Sequence, residues 1–389
     1  MANLEADWRV VDGSLAAWFD APSLSAGSEL AGRALELEPE ALVDLRANGL
    51  RLRLASTDLA DATSSAAREL GLTANPSALQ DLSIVLESPD PTAVAPFWQR
   101  ALAYAPGDDG GLIDPLRRDF PVRVRRADES RPLRNRFHLD VVRPSAEVDK
   151  ADLGEPYGPF GVCHADPDGN EVDLVPGDVL DESAADWQAV FSAVACYRTT
   201  STTQQRDLAA AAASLADAMG FPLLIDLRPG LVILDSGKDQ SDADAHGLAI
   251  DFPALAGAIQ GAARDLGAVA DPALPRCTQV VLDAADIPAV RAFWLAALGY
   301  VPDRREDLTD IIDPRRLNPV MMFQDFDVSD TDRARQRNRT HVELAVPTDV
   351  AQGRVAAALA AGGRLVDESA GRWRIDDSEG NELVVVSGP

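Results

Sequence analysis

Cysteine is scarce in this 389-residue chain. Cys163, Cys196 and Cys277 are odd in number, scattered, and include no Cys-x-x-Cys pair. That argues against a disulfide framework and reads as free thiols in a reducing compartment. Histidine is nearly as rare, with His138, His164, His246 and His341 and no adjacent pair. There is no run of about 18 apolar residues, so no membrane-spanning helix is expected. The opening Met1-Ala2-Asn3-Leu4-Glu5-Ala6-Asp7 lacks a basic stretch followed by an apolar one, so no signal peptide is expected either. A cytoplasmic location follows as the simplest expectation. Positive charge is also in deficit: 36 Lys and Arg stand against 63 Asp and Glu, a net charge of −27. Nucleic acid and anionic membrane surfaces are therefore disfavoured as partners. No Gly-x-Ser-x-Gly elbow, Gly-x-Gly-x-x-Gly turn or phosphate loop occurs, which leaves nucleophilic and nucleotide chemistry without a motif.

What the chain does have is repetition. Phe97-Trp98, Leu112-Ile113-Asp114-Pro115, Asn135-Arg136-Phe137-His138-Leu139-Asp140 and Asp168-Gly169-Asn170-Glu171 appear in that order. Phe293-Trp294, Ile311-Ile312-Asp313-Pro314, Asn338-Arg339-Thr340-His341-Val342-Glu343 and Glu379-Gly380-Asn381-Glu382 follow in the same order. The offset is about 200 residues, which implies tandem duplication of a whole unit.

Each repeat has a front and a back part. In the first front part, Trp8 to Phe19 reads as a strand. Ser25 to Leu35 reads as a helix capped by Ser23 or Ser25. Leu50 to Ala55 alternates as a half-buried strand, with Arg51 and Arg53 on the polar side. Asp58 to Leu70 reads as a helix stopped by Gly71. The second front part follows with strands at 190–199, 230–235 and 247–251 and helices at 203–219 and 252–266. The back parts are rich in strands, each with one helix carrying the Phe-Trp pair. The basic cluster Arg117, Arg118, Arg123, Arg125 and Arg126 reads as a solvated strand and turn.

Period-two alternation sorts the back strands into faces. Leu139 and Val141 oppose His138 and Asp140. Val342 and Leu344 oppose His341 and Glu343. The same contrast sets Ser83 and Glu87, Glu171 and Asp173, Gln279 and Asp283, and Glu382 on polar faces. Grouped by repeat, the polar sets are Ser83, Glu87, His138, Asp140, Glu171 and Asp173, then Gln279, Asp283, His341, Glu343 and Glu382. Histidine among carboxylates suits a divalent metal or general acid–base work. His138 and His341 are the candidate catalytic residues, and the others candidate ligand-binding residues. Trp373, on a strand, is the candidate for stacking on a planar ligand. Trp98 and Trp294 read as core anchors, and the two Asp-Pro pairs as turn chemistry. A pairing network is the competing account of the Arg-x-His-x-Asp/Glu pattern. Cys163 and His164 are strand neighbours and point to opposite faces, so they make a poor dyad.

The Phe-Trp, Ile-Asp-Pro, Asn-Arg-x-His-x-Asp/Glu and Asp-Pro-Asp-Gly-Asn-Glu motifs resemble the vicinal oxygen chelate superfamily, within it the glyoxalase-like group of actinobacterial type. The resemblance covers about half of the chain and implies an α+β fold of paired β-α-β-β-β modules curling into ligand-holding cups. The front parts more loosely resemble pterin-carbinolamine dehydratase, but they lack its His-His-Pro segment, so that activity is not carried over. The implied arrangement is a degenerate dehydratase-like domain at 1–78, a glyoxalase-like domain at 79–177, a linker at 178–186, a second dehydratase-like domain at 187–273 and a second glyoxalase-like domain at 274–389. The metal positions implied by the superfamily fall on Ser83, His138 and Asp173 in one repeat and on Gln279, His341 and Val384 in the other. Serine is a poor ligand and valine is none, so no metal and no cofactor is expected. Were a metal bound, His138 with Asp173, or Gln279 with His341, would hold it.

The function expected on this reading is binding of a small organic molecule without a catalytic metal, with sequestration of a toxic metabolite or antibiotic as the role. The alternatives are a lyase, isomerase or dioxygenase of the same superfamily, and an interaction scaffold with filled cups. The two halves are expected to pair within one chain.

Overall fold

The computed structural model describes residues 6–107, 110–129, 131–242, 245 and 247–388, so His246 lies outside the described residues. The fold is mixed α+β, and the chain divides into two units that each draw on both halves. Residues 1–79 and 177–277 make one, residues 80–176 and 278–389 the other. No helix of the described residues is long and apolar enough to cross a membrane.

In the first unit, six strands run antiparallel in the order Ser14–Asp20, Gly49–Leu54, Leu42–Arg46, Leu224–Arg228, Leu231–Asp235 and Ala193–Arg198. Residues 8–19 form a hairpin rather than one strand. Asp12 and Gly13 both take positive φ, which closes the tight turn between Arg9–Val11 and Ser14–Asp20. Residues 247–251 are irregular, not a strand. Helices Leu24–Leu37, capped by Ser23, and Thr202–Met219, capped by Ser201 and closed by left-handed Gly220, pack with Phe252–Asp265 over one apolar face.

The seam between Leu42–Arg46 and Leu224–Arg228 sets Asp44 directly opposite Asp226. Two like charges facing each other in a sheet repel. Here four arginines answer them. Arg228 and Arg51 bond Asp44 at 2.5 and 2.7 Å, Arg53 lies 3.4 Å from it, and Arg46 bonds Asp226 at 2.7 Å. Burial pushes the Asp44 carboxyl up, but Arg51 and Arg228 outweigh it and hold it well below the usual carboxylate range. Arg51 is thus buried, not solvated, because its alternating face meets this charge seam.

The second unit contains two sheets, and each takes strands from both halves. One runs Arg364–Ser369, Arg372–Asp376, Glu382–Val386, Thr340–Ala345, Asp81–Ser88, Val122–Arg126, Leu112–Ile113 and Ala105–Pro106. The other joins Cys277–Ala284 to Val320–Asp325 on one side and to Phe137–Pro144 on the other, with Glu171–Val179 and Cys163–Ala165 beyond. The helices Pro91–Leu102 and Ile287–Leu298 start on Asp90 and Asp286 caps, each with a proline in the first turn. They bury Phe97, Trp98, Phe293 and Trp294 in the apolar core beneath the sheets.

The repeated motifs build this core. Asp166 accepts from the backbone N–H groups of Asp168 and Asn170 and from Trp98 Nε1 at 2.8 Å. Asp377 does the same with Glu379, Asn381 and Trp294 Nε1 at 3.1 Å. Gly169 and Gly380, both at φ +80°, close those turns. Asp114 and Asp313 likewise accept the N–H groups of the residues just after them, as turn chemistry requires. The Asn-Arg pairs interlock. Asn135 Oδ1 accepts from the Arg339 N–H, and Asn338 Oδ1 from the Arg136 N–H. Arg339 then reaches Asn170 Oδ1 and the Gly169 carbonyl, while Arg136 reaches the Glu379 carbonyl.

Candidate functional site

Strand pairing rearranges the polar sets expected for each repeat. Glu343 stands opposite Ser83 and His341 opposite Val85. Glu87 donates its backbone N–H to the Arg339 carbonyl, as Asp283 does to the Arg136 carbonyl. One cup therefore holds Ser83, Glu87, His341, Glu343 and Glu382, and the other Gln279, Asp283, His138, Asp140, Glu171 and Asp173. Grouping Ser83 with His138, or Gln279 with His341, fails because the first strand of each back part pairs with the histidine strand of the other half.

In the cup around His138, the side chains of His138, Asp140 and Asp173 offer ligand atoms within 4.8 Å of one another. Gln279 Nε2 donates to Asp140 Oδ2 at 2.5 Å, and Asp140 Oδ1 lies 3.5 Å from His138 Nε2. His138 Nδ1 and Gln279 Oε1 are buried with no hydrogen-bond partner. Buried polar atoms rarely stay unpaired without reason. An imidazole, two carboxylates and an amide oxygen form a hard-to-borderline donor set that fits a divalent cation. Toward the end of the same face, Glu171 is tied to Arg134 at 2.6 Å and to Tyr157 Oη at 2.9 Å. Asp283 is tied to Arg333 and lies 3.3 Å from Arg134. Those two carboxylates are thus neutralised by arginine. Cys163 faces Asp173 across the strand pair, and burial pushes its thiol up to about 12, so it is no nucleophile near neutral pH.

The cup around His341 has a different chemistry. Glu343 accepts from both terminal guanidinium nitrogens of Arg125, at 2.7 and 2.9 Å, and from Arg372. Glu87 binds Arg131 at 2.6 Å and Arg337 at 2.8 Å, Glu382 binds Arg337, and Arg123 binds the Ser83 hydroxyl. Burial favours neutral carboxyls at Glu87 and Glu343, but their arginines outweigh it and hold both below the ordinary range. His341 is 5 % exposed. Burial pulls its pKa down to about 4, so the ring is neutral near pH 7. The position matching Asp173 is Val384, which pairs with Arg374 as Asp173 pairs with Cys163. Serine, valine and arginines do not make a cation site.

Trp373 is buried in the apolar core and donates Nε1 to Glu368 at 3.0 Å, so it presents no face to the cup. Alternation puts it opposite Arg372 and Arg374, which do face the cup. Arg123 and Arg125 are more than a solvated run: Arg125 stays exposed, but their alternate positions on a parallel strand bring them to Ser83 and Glu343. Arg126, on the other face, is exposed and pairs with Asp128 at 3.0 Å. The arginines at 134, 337, 372 and 374 are not among the residues that sequence alone singles out. The signal available is the Arg-x-Arg spacing of 123–125 and 372–374 on strands.

A family model described as a glyoxalase-like domain matches the chain twice, over residues 83–175 and 279–386. No curated protein matches. Among solved structures, a point mutant of glyoxalase I from Zea mays is similar at 11% identity and a TM-score of 0.39, over 79% of this chain and 94% of that one. A second point mutant of the same maize enzyme is similar at 10% identity and a TM-score of 0.38, over 79% and 93%.

Proposed function

Since the chain belongs to the glyoxalase-like domain family, we propose that it binds a small organic molecule in the cup around His138, anchored by a divalent cation. The reading is carried by one observation: His138, Asp140 and Asp173 are the group of potential ligand residues that converges among the described residues. Gln279 joins them from the neighbouring strand, with an unpartnered Oε1. A cation held there would act as a Lewis acid toward vicinal oxygen atoms of the bound molecule. The protein's own groups would fix its position. Arg134, beside Glu171 and Asp283, offers a guanidinium at the end of the same face. Binding without turnover, including sequestration of a toxic metabolite or antibiotic, requires nothing further of these residues.

The test begins with chelator-stripped protein titrated with Mn²⁺, Ni²⁺ and Zn²⁺ by calorimetry. One site per chain is expected, lost in Asp173→Ala and kept in His341→Ala. No binding, or binding unaffected by Asp173→Ala, would sink the reading. Turnover of a bound compound, abolished by His138→Ala, would convert it from a binding protein into an enzyme of the same superfamily.

A further inference from the structure

The cup around His341 differs from its counterpart in charge, and in one direction. Equivalent strand registers make the comparison. Glu87 pairs with Arg125 where Asp283 pairs with Gln324, and Val85 pairs with Arg123 where Val281 pairs with Met322. Val384 pairs with Arg374 where Asp173 pairs with Cys163. Three arginines are added and one aspartate is removed, so this cup is four charge units more positive at those positions. In a chain with a net charge of −27, such an internal concentration of guanidinium is a local inversion.

Next to Arg337, Arg374 and Glu382 of this cup lies a pocket of about 500 Å³, which Asp376 also lines; of the three added arginines only Arg374 lines it. That volume lies within the ordinary range for small-molecule sites. Two lining residues hold buried polar atoms with no partner, Arg374 Nε as donor and Asp376 Oδ1 as acceptor. Arg374 has a distant ion pair, 4.0 Å from Glu382. Asp376 is 7 % exposed, is bonded to Arg364 and stands opposite Glu382. A ligand completing both must bring an anionic oxygen to the guanidinium and a hydroxyl hydrogen to the carboxylate. Guanidinium forks match carboxylate geometry in particular.

We infer that this pocket binds a small hydroxylated organic acid, the carboxylate on Arg374 and the hydroxyl on Asp376. It does not depend on the cation site in the other cup.

The experiment uses the full chain, stripped of metal and kept in chelator, with two probes that differ by one hydroxyl. L-malate and succinate are titrated by calorimetry into the wild type, Arg374→Gln and Asp376→Asn. Saturable malate binding near one per chain is expected, with succinate about tenfold weaker. Arg374→Gln should weaken both acids about tenfold or more. Asp376→Asn should narrow the gap between them. Arg374 is a partly exposed side chain, so this variant should fold, and an unchanged melting temperature checks that it does. The inference is overturned if the wild type binds neither acid at millimolar concentration, or if Arg374→Gln binds malate as well as the wild type does.

Discussion

The two cups share a frame and diverge in their lining. Both have a histidine followed two residues later by a carboxylate, His138 with Asp140 and His341 with Glu343. Both tie down the carboxylate after the Gly-Asn turn with an arginine, Glu171 with Arg134 and Glu382 with Arg337. In one cup Gln279 and Asp173 close around the histidine and its carboxylate. In the other Ser83, Val384, Arg125 and Arg372 surround the same positions, and the carboxylate is taken up by ion pairs. A histidine beside a carboxylate is therefore not a site by itself. What stands next to the pair sets its chemistry: an amide and a second carboxylate in one cup, arginines in the other.

The largest effect that would break this contrast is on cation affinity. His138→Ala should lower it at least about 100-fold in calorimetry, and His341→Ala should leave it unchanged. If both matter equally, the two cups are not chemically distinct. Acid stability comes next. His341 titrates near 6.5 when unfolded and at about 4 when folded. The unfolded state thus takes up the proton first, and stability present above pH 6.5 is lost as pH falls toward 4. The loss is about 3 kcal/mol from this residue, and His341→Gln should flatten that part of a denaturation-versus-pH curve. Glu87 and Glu343, held below their usual range, act in the same direction further into acid.

Carboxylate removal should have opposite signs in the two cups. Glu343→Ala strands Arg125 and Arg372, both partly exposed, and should cost about 1–2 kcal/mol in urea unfolding. Asp173→Asn relieves repulsion with Asp140 and should stabilise cation-free protein by about 1 kcal/mol. The smallest effect sharpens the face assignment: Arg126→Ala should leave stability within about 0.5 kcal/mol of the wild type, unlike Arg125→Ala.

The fold is legible in the sequence where a motif or a period fixes it. Phe97-Trp98 and Phe293-Trp294 announce two helices with one buried face, and the alternation around His138 and His341 puts the right residues on the polar faces. The Asn-Arg and Gly-Asn motifs, legible as repeats, prove to be the interlock that holds turns, tryptophans and strands together. Which strand meets which is not legible. Alternation assigns faces within one strand, but pairing depends on long-range backbone bonds that no local pattern encodes. That is why sequence alone groups Ser83 with His138, and why it places Gln279, the residue that completes the acidic cup, in the other set. Trp373 misleads because an aromatic on a half-buried strand looks alike from either side. Arg123 misleads because an arginine reads as solvated until its partner is known.

The crossed pairing of the strands has a further consequence, for how such a protein can change. In an assembly of two identical chains, any substitution in the lining is present in both cups at once. Here every lining position is encoded once and belongs to one cup, because Asp81–Ser88 serves the His341 cup and Cys277–Ala284 the His138 cup. A variant such as Ser83→Gln alters one cup while the other keeps its original lining. Joining both copies in one polypeptide makes the two cups separately heritable, so that one can keep a donor set while the other accumulates arginine.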